Sequence, residues 1–213
     1  MQYLQASWNG EVNDMHKLRN PCEKVTLNEE KVRIQNVEDW QYQLVQDMIL
    51  QTTRSPYLAV MMEFAYLCRL RCAEVRDLKH SDIKNGTIRI VHGKGSTGEL
   101  TRLSPRLLAA VNSAKSINPD APSPITGAYL LHDTKGLKIN KNKFDSAWKR
   151  VMEKAVNECL KIDGKILRLE EVFKFHDLKA KGVSDHTENH SGHKSEKARQ
   201  IYIRKLKEVD ATR

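Results

Sequence analysis

The sequence predicts an α+β domain that is mainly α-helical and carries one small antiparallel β-sheet. Apolar residues recur at helical spacing over several long segments, whereas a single stretch, residues 81–104, alternates with a period of two. No internal repeat or low-complexity tract is present. With 213 residues, of which 39% are hydrophobic, the chain is long enough to bury a substantial core.

The first part of the chain is predicted to be helical. A short amphipathic segment ends at Asn20-Pro21, and a linker leads from there to a helix that begins at Val37. The next stretch, SPYLAVMMEFAYLCRLRCAEVRDL, predicts one or two buried helices with Pro56 in a first turn. We therefore expect residues 1–20 to stand apart from a main domain that spans residues 21–213.

The alternating stretch predicts a β-hairpin. Residues 87–91 alternate, the Gly-rich sequence GKGSTG follows, and a second run begins at Leu100. Beyond it the sequence predicts a helix in PRLLAAVNSAK, a Pro-rich loop, a short strand in YLLHD and a long helix in KNKFDSAWKRVMEKAVNECL. Trp148, at helical spacing from its apolar neighbours, is predicted to lie in the core. The remaining residues are expected to be mostly helical, with a loop around residues 189–192.

The charge balance favours a polyanionic partner. Lys and Arg outnumber the acidic residues by 36 to 27, giving a net charge of +9, and the excess is concentrated in the second half. No apolar run is long enough to span a membrane and the chain does not open with a signal peptide, so we expect a cytoplasmic protein with no membrane partner. Cys68 and Cys72 lie in an apolar segment and are expected to be reduced core thiols.

Two stretches in the first half of the chain contain charged residues whose positions need an explanation. CRLRCAEVRDL is predicted to carry Arg71 within an apolar helix segment, with Glu74 a turn later on the same face, and an internal ion pair is the simplest account of both. VHGKGSTGELTRLS places Lys94 at the tip of the predicted hairpin, where solvation alone would satisfy it.

Two further stretches lie in the basic second half. FHDLKAKG carries His176 and Lys179 at positions i and i+3, hence on one helical face. GHKSEKARQIYIRK carries His193 and then Tyr202, whose simplest role would be to dock the last helix. Taken singly, each stretch is compatible with a purely structural role.

Taken in order, the four stretches resemble the catalytic domain of the tyrosine recombinase (phage integrase) family. That family has an arginine followed three residues later by an acid, a lysine on a β-hairpin turn, an HDLR motif, a Gly-His pair, and a tyrosine nine residues after that histidine. The matching positions here are Arg71, Glu74, Lys94, His176, Lys179, His193 and Tyr202. The resemblance covers the chain from about residue 20 to the end, and it implies that residues 1–20 are the remnant of an N-terminal helical DNA-clamping domain.

The resemblance implies a site-specific recombinase or integrase that needs no cofactor and no metal. Tyr202 would attack a DNA phosphate and form a 3′-phosphotyrosine. Arg71, Lys179 and His193 would stabilise the charge on the phosphate, because fixed cations lower the energy of such a transition state. Lys94 would protonate the leaving 5′-oxygen, and His176 would bind phosphate or transfer a proton. Glu74 would orient the cluster.

The expected partner is double-stranded DNA with a specific recombination site. The resemblance implies a tetramer on two paired duplexes, whereas the chain alone is expected to be a monomer, associated with the nucleoid when bound to DNA.

Two features depart from the family pattern. Lys179 stands where the family has arginine, and lysine lacks the planar fork that binds phosphate with two parallel hydrogen bonds. The spacing from His176 to His193, seventeen positions, is short for the family. These features leave open a DNA-binding regulator that has lost efficient cleavage. A DNA-relaxing enzyme with the same tyrosine chemistry is a further alternative.

A metal site is the less favoured interpretation of SDHTENHSGH. His186 and His190 have a spacing that could bind zinc on a helix, with Asp185 and His193 nearby. The segment is polar and typical of a loop, and no glutamate follows His186 directly. We therefore expect no metal.

Overall fold

A computed structural model of the protein describes residues 35–91, 98–120 and 129–186, together with residue 203. Within these ranges the chain forms six α-helices: α1 (Asp39–Thr52), α2 (Tyr57–Leu67), α3 (Cys72–Asp77), α4 (Pro105–Ser116), α5 (Lys141–Asn157) and α6 (Phe175–Asp185). The strands of the same ranges are β1 (Ile83–Lys84), β2 (Thr87–Ile90), β3 (Glu99–Arg102), β4 (Leu160–Ile162) and β5 (Lys165–Leu167). The mainly helical α+β fold that the sequence predicts is confirmed.

The helix starts follow local capping chemistry. Ser104 precedes α4 and its hydroxyl accepts a hydrogen bond from the Leu107 amide at 3.2 Å, while Pro105 occupies the first helical position. Asn140 precedes α5 and accepts from the Asn142 amide at 2.8 Å. These caps satisfy backbone donors that the helices themselves leave unpaired.

The sheet confirms the predicted hairpin and adds a strand to it. Strands β1, β2 and β3 pair antiparallel in that order, with Ile90 opposite Glu99. The turn between β1 and β2 is Asn85-Gly86, both with positive φ, which is the conformation that suits an Asn-Gly hairpin. On β2, Ile88 and Ile90 are buried and Arg89 is exposed, as the alternating pattern predicts.

Two predictions in the second half are corrected. The long helix ends at Asn157 rather than at Leu160, because residues 160–167 form the antiparallel hairpin β4–β5 around the turn Asp163-Gly164. The stretch YLLHD is not a strand within the described residues, since only isolated bridges pair Tyr129 with Lys79 and His132 with Lys138.

Helix α2 is the centre of the core. Nearly all of its residues are buried, and it packs against α1, α4 and α6. A second part of the core is aromatic: the rings of Phe144, Trp148, Phe173 and Phe175 pack mostly edge to face, with centroids 5.0–6.3 Å apart. The prediction that Trp148 is a core residue is therefore confirmed. This aromatic cluster fixes the start of α6 against α5.

The described residues belong to the second of two units into which the chain divides, Ile34–Arg213. The domain boundary predicted at residue 20 lies outside the described ranges and stays a prediction. No helix in the described part of the chain is long and apolar enough to cross a membrane.

Candidate active site

The corner between α2 and α3, residues 68–71, presents Arg71. Helix α2 closes with a Schellman motif, in which the Leu70 amide donates to the Ala65 carbonyl at 3.1 Å and the Arg69 amide donates to the Tyr66 carbonyl at 3.4 Å. Arg69 carries the left-handed conformation that this motif requires, with φ of 53°. The sequence placed Arg71 inside a helix, but this reversal makes it the cap of α3 instead.

Arg71 and Glu74 form the predicted ion pair. The Arg71 guanidinium donates to Glu74 Oε1 at 2.9 Å, and the Arg71 backbone amide donates to Glu74 Oε2 at 2.7 Å. One carboxylate thus holds both the backbone and the side chain of Arg71. The Arg71 side chain keeps 32% of its surface exposed, so the guanidinium can still meet a ligand from outside.

Lys179 reaches the same carboxylate from α6. Its side chain is 1% exposed, and its Nζ lies 4.0 Å from Glu74 Oε2. Burial lowers the pKa of the Lys179 ammonium to about 8; the Glu74 carboxylate opposes this shift, and the Arg71 guanidinium adds to it. Two cations from different elements therefore converge on Glu74.

His176 lies at the exposed start of α6, one turn before Lys179. It lines a cleft of about 630 Å³ together with Arg71, and the walls of this cleft include the aromatic rings of Trp148 and Phe175. The two residues of the predicted helical face differ in exposure, since Lys179 is buried and His176 is not. His176 is therefore placed to meet a ligand in the cleft that Arg71 also lines.

A second ion pair borders the site and has no counterpart in the sequence analysis. Arg69 Nη2 lies 2.9 Å from Glu99 Oε1, and both side chains are largely buried. Their charges act on Lys179, where Glu99 raises the pKa and Arg69 lowers it. The sequence feature that could have predicted this ion pair is a second arginine, two positions before Arg71, in the same apolar run.

Three of the predicted site residues, Lys94, His193 and Tyr202, lie outside the described residues, as does His190 of the metal alternative. Asp185 of that alternative accepts a hydrogen bond from the Tyr66 hydroxyl at 3.2 Å and pairs with Lys181 at 3.0 Å. In the described ranges no three His, Cys, Asp or Glu side chains are grouped as metal ligands. Cys68 is buried and Cys72 half-buried, and both are free thiols.

Solved structures share this fold. A lambda integrase dimer bound to a COC′ core site superposes with a TM-score of 0.68 at 16% identity, covering 99% of this chain and 61% of that chain. A Tn1549 transposon integrase in complex with transposon right end DNA gives 0.66 at 13% identity, covering 97% and 70%. XerA recombinase gives 0.58 at 16% identity, covering 95% and 70%.

The sequence matches a family model, although the chain is shorter than the lambda integrase structures that share its fold. The chain spans 61% and 59% of the length of the first two lambda integrase structures that it resembles. No curated protein matches the sequence at a significant level. The model described as "Phage integrase family" matches residues 36–208, which include every candidate site residue. The chain therefore belongs to the phage integrase family, the tyrosine recombinases.

Proposed function

We propose that this protein is a site-specific DNA recombinase that cleaves and rejoins DNA strands through a covalent 3′-phosphotyrosine at Tyr202. The observation that carries the proposal is the convergence of Arg71 and Lys179 on the carboxylate of Glu74. One buried anion holds both cations, so Arg71, with 32% of its side chain exposed, is pre-positioned where negative charge develops on a bound phosphate. Lys179 is 1% exposed, so its Nζ must become accessible before it can contact that phosphate. Membership of the phage integrase family supports the proposed roles of the remaining residues.

Each residue has a chemical role in this proposal. Arg71 and Lys179 bind the non-bridging oxygens of the scissile phosphate, and His193 donates a further hydrogen bond. Tyr202 attacks phosphorus; its phenol has an ordinary pKa of about 10, so cationic neighbours or a base must help it to lose a proton. His176 is the candidate acceptor of that proton, and its exposed position in the cleft that Arg71 also lines supports this. Lys94 protonates the departing 5′-oxygen.

The partner in this proposal is double-stranded DNA with a specific recombination site. The net charge of +9 supports a polyanionic partner. Integrases of the same fold have been solved on DNA, among them a lambda integrase tetramer bound to a Holliday junction. We expect this chain to be a monomer alone and a tetramer on two paired DNA sites. Sedimentation with and without a recombination site tests this expectation.

A cleavage-deficient DNA-binding regulator is the second candidate, and Lys179 is the observation that favours it. Near neutral pH part of its population is uncharged, because the pKa of the ammonium is lowered to about 8. Its point charge also lacks the bidentate geometry of arginine. Both effects weaken the binding of a phosphate by this residue. A bound phosphate acts in the opposite direction, since a nearby anion favours the protonated lysine.

The test is capture of a covalent protein–DNA adduct. Nicked suicide substrates from a genomic pool or from candidate attachment sequences are incubated with the protein, and adducts are resolved on a denaturing gel. We expect an adduct that Tyr202→Phe abolishes and Tyr57→Phe, a change in the core of α2, leaves intact. DNA that is bound but never captured, even with Lys179→Arg, contradicts the recombinase and favours the regulator. Relaxation of supercoiled DNA without any site preference would identify the DNA-relaxing alternative.

A further inference from the structure

Arg69 holds an unusual backbone conformation for its residue type. In the described ranges four non-glycine residues have positive φ: Arg69, Asn85, Asn118 and Asp163. Asn and Asp adopt the left-handed region readily because their short polar side chains bond locally, whereas arginine gains no such compensation. Glycine is the residue that usually ends a Schellman motif at this position. We therefore expect the Arg69 side chain to make an interaction that offsets the cost of this backbone conformation and that glycine could not make.

That interaction is with the sheet. Arg69 is 5% exposed, and its guanidinium lies 2.9 Å from Glu99 Oε1, while its other terminal nitrogen donates weakly to the Leu67 carbonyl at 3.4 Å. Glu99 is the first residue of β3 and pairs with Ile90 on β2. The ion pair thus joins the α2–α3 corner to the end of the β2–β3 hairpin.

Helix α6 meets the same point. A Cβ atom at Gly182 would lie 3.2 Å from Arg69 Cγ and 2.2 Å from the Tyr66 carbonyl oxygen, so α6 crosses directly over the corner. Gly182 follows Lys179 by one helical turn. Three elements therefore meet at Arg69: the end of α2, the start of β3 and the helix that carries Lys179.

We propose that Arg69 is a positioning residue, whose ion pair with Glu99 fixes the Arg71 guanidinium relative to β3 and to Lys179. Arg71 follows Arg69 by two residues, so a shift of the corner moves the guanidinium with it. The catalytic part of this inference rests on the proposed recombinase function. Its structural part, the fixation of β3 by Arg69, stands without it.

The first variant is Arg69→Gly, which removes the guanidinium and suits the left-handed conformation. Relief of the left-handed strain offsets part of the loss of the buried ion pair with Glu99, so we expect only a modest fall in the melting temperature. Well below that temperature, the rate of Tyr202 adduct formation at saturating DNA should fall on the order of 10- to 100-fold, as misplaced catalytic groups cause. DNA affinity should change little. Arg69→Lys keeps a cation and should lose less. The matched control is Asp163→Gly, another left-handed position, in the β4–β5 turn, which should leave the rate unchanged.

Hydrogen exchange provides a readout that does not depend on catalysis. Backbone amides of β3, residues 99–102, should exchange faster in Arg69→Gly and in Glu99→Gln than in wild type, while those of β4–β5 stay the same. Unchanged exchange in β3 together with an unchanged cleavage rate overturns the proposal, as does a rate loss that only follows a loss of thermal stability. If wild type forms no Tyr202 adduct, the recombinase function fails and the exchange of β3 alone decides whether Arg69 positions the corner.

Discussion

Lys179 occupies the position at which the resemblance to the family implies an arginine. The side chain is buried beside Glu74 and Arg71, and burial lowers the pKa of its ammonium to about 8. An arginine in this place would stay charged at any working pH. Under the proposed function, Lys179 therefore introduces a titrating group among the residues that would bind phosphate.

The pH dependence of cleavage should report this titration. Only protonated Lys179 can bind a phosphate oxygen, so the wild-type rate should fall relative to that of Lys179→Arg as the pH rises through about 8, with a higher midpoint once phosphate is bound. Rates of adduct formation are measured for both proteins from about pH 6.5 to about pH 9.5. The ratio of the two rates removes the opposite effect of Tyr202 deprotonation. A ratio of rates that does not change with pH would contradict the proposal that Lys179 titrates while it binds phosphate.

At the scale of elements, the contact of α6 with α2 sets the position of Lys179. Gly182 permits this contact, because a side chain would collide with the Tyr66 carbonyl, a backbone atom that cannot move cheaply. The close approach is a property of two helices together, and neither helix alone requires it.

Gly182→Ala should therefore destabilise the protein, although alanine is the better helix former. We expect a loss of about 1–3 kcal/mol in the free energy of unfolding, from overpacking between α6 and α2. Chemical denaturation monitored by circular dichroism measures it. Asn112→Ala, on the exposed face of α4, is the control for helix propensity and should be neutral or slightly stabilising. Equal effects of the two changes would contradict the close approach.

A buried carboxylate on α2 joins three helices. Glu63 accepts hydrogen bonds from the Tyr42 hydroxyl at 2.7 Å, from Gln46 at 2.7 Å and from the Arg106 guanidinium at 2.7 and 2.8 Å. Burial raises the pKa of Glu63, but the hydrogen bonds from Arg106, Tyr42 and Gln46 outweigh it and lower the pKa below its ordinary value. The network ties α1 and α4 to α2.

Glu63→Gln should lower the free energy of unfolding by about 1–3 kcal/mol at pH 7, because Arg106 and Tyr42 lose their charged acceptor. The folded pKa of Glu63 is depressed, so its contribution is present above the unfolded pKa of about 4.3 and is lost as the pH falls through the folded value. The difference between wild type and variant should shrink on acidification below about pH 4. Glu153→Gln, in an exposed pair with Lys149, is the control and should change stability by less than about 0.5 kcal/mol.

At the scale of the whole molecule, the net charge of +9 should dominate binding to DNA of arbitrary sequence. If the protein neutralises about four phosphates, its affinity for a random duplex should fall roughly 100-fold between about 50 mM and about 200 mM salt. Fluorescence anisotropy with a labelled duplex measures the slope of log affinity against log salt. A slope near zero would show that the excess charge serves only solubility.

Local patterns were enough to predict much of this protein. Helical periodicity predicted the buried helices around Phe64 and Trp148, and alternation predicted the β2–β3 hairpin, because both signals depend only on neighbours in sequence. The order and spacing of all seven candidate site residues, from Arg71 to Tyr202, predicted the family. The hairpin β4–β5 was missed although Asp163-Gly164 is a hairpin signal, because the helical pattern before it was extended too far.

The tertiary structure decided what sequence spacing cannot express. Arg71 caps a helix rather than lying within one, because the reversal at Arg69 depends on how α2 ends. Lys179 shares the carboxylate of Glu74 from 105 residues away in sequence, and only the close packing of α6 on α2 makes them neighbours. Burial, and with it the lowered pKa of Lys179, follows from that packing. Sequence determined which chemical groups are present, and packing determined which of them meet, because contacts between distant segments depend on how whole elements fit together.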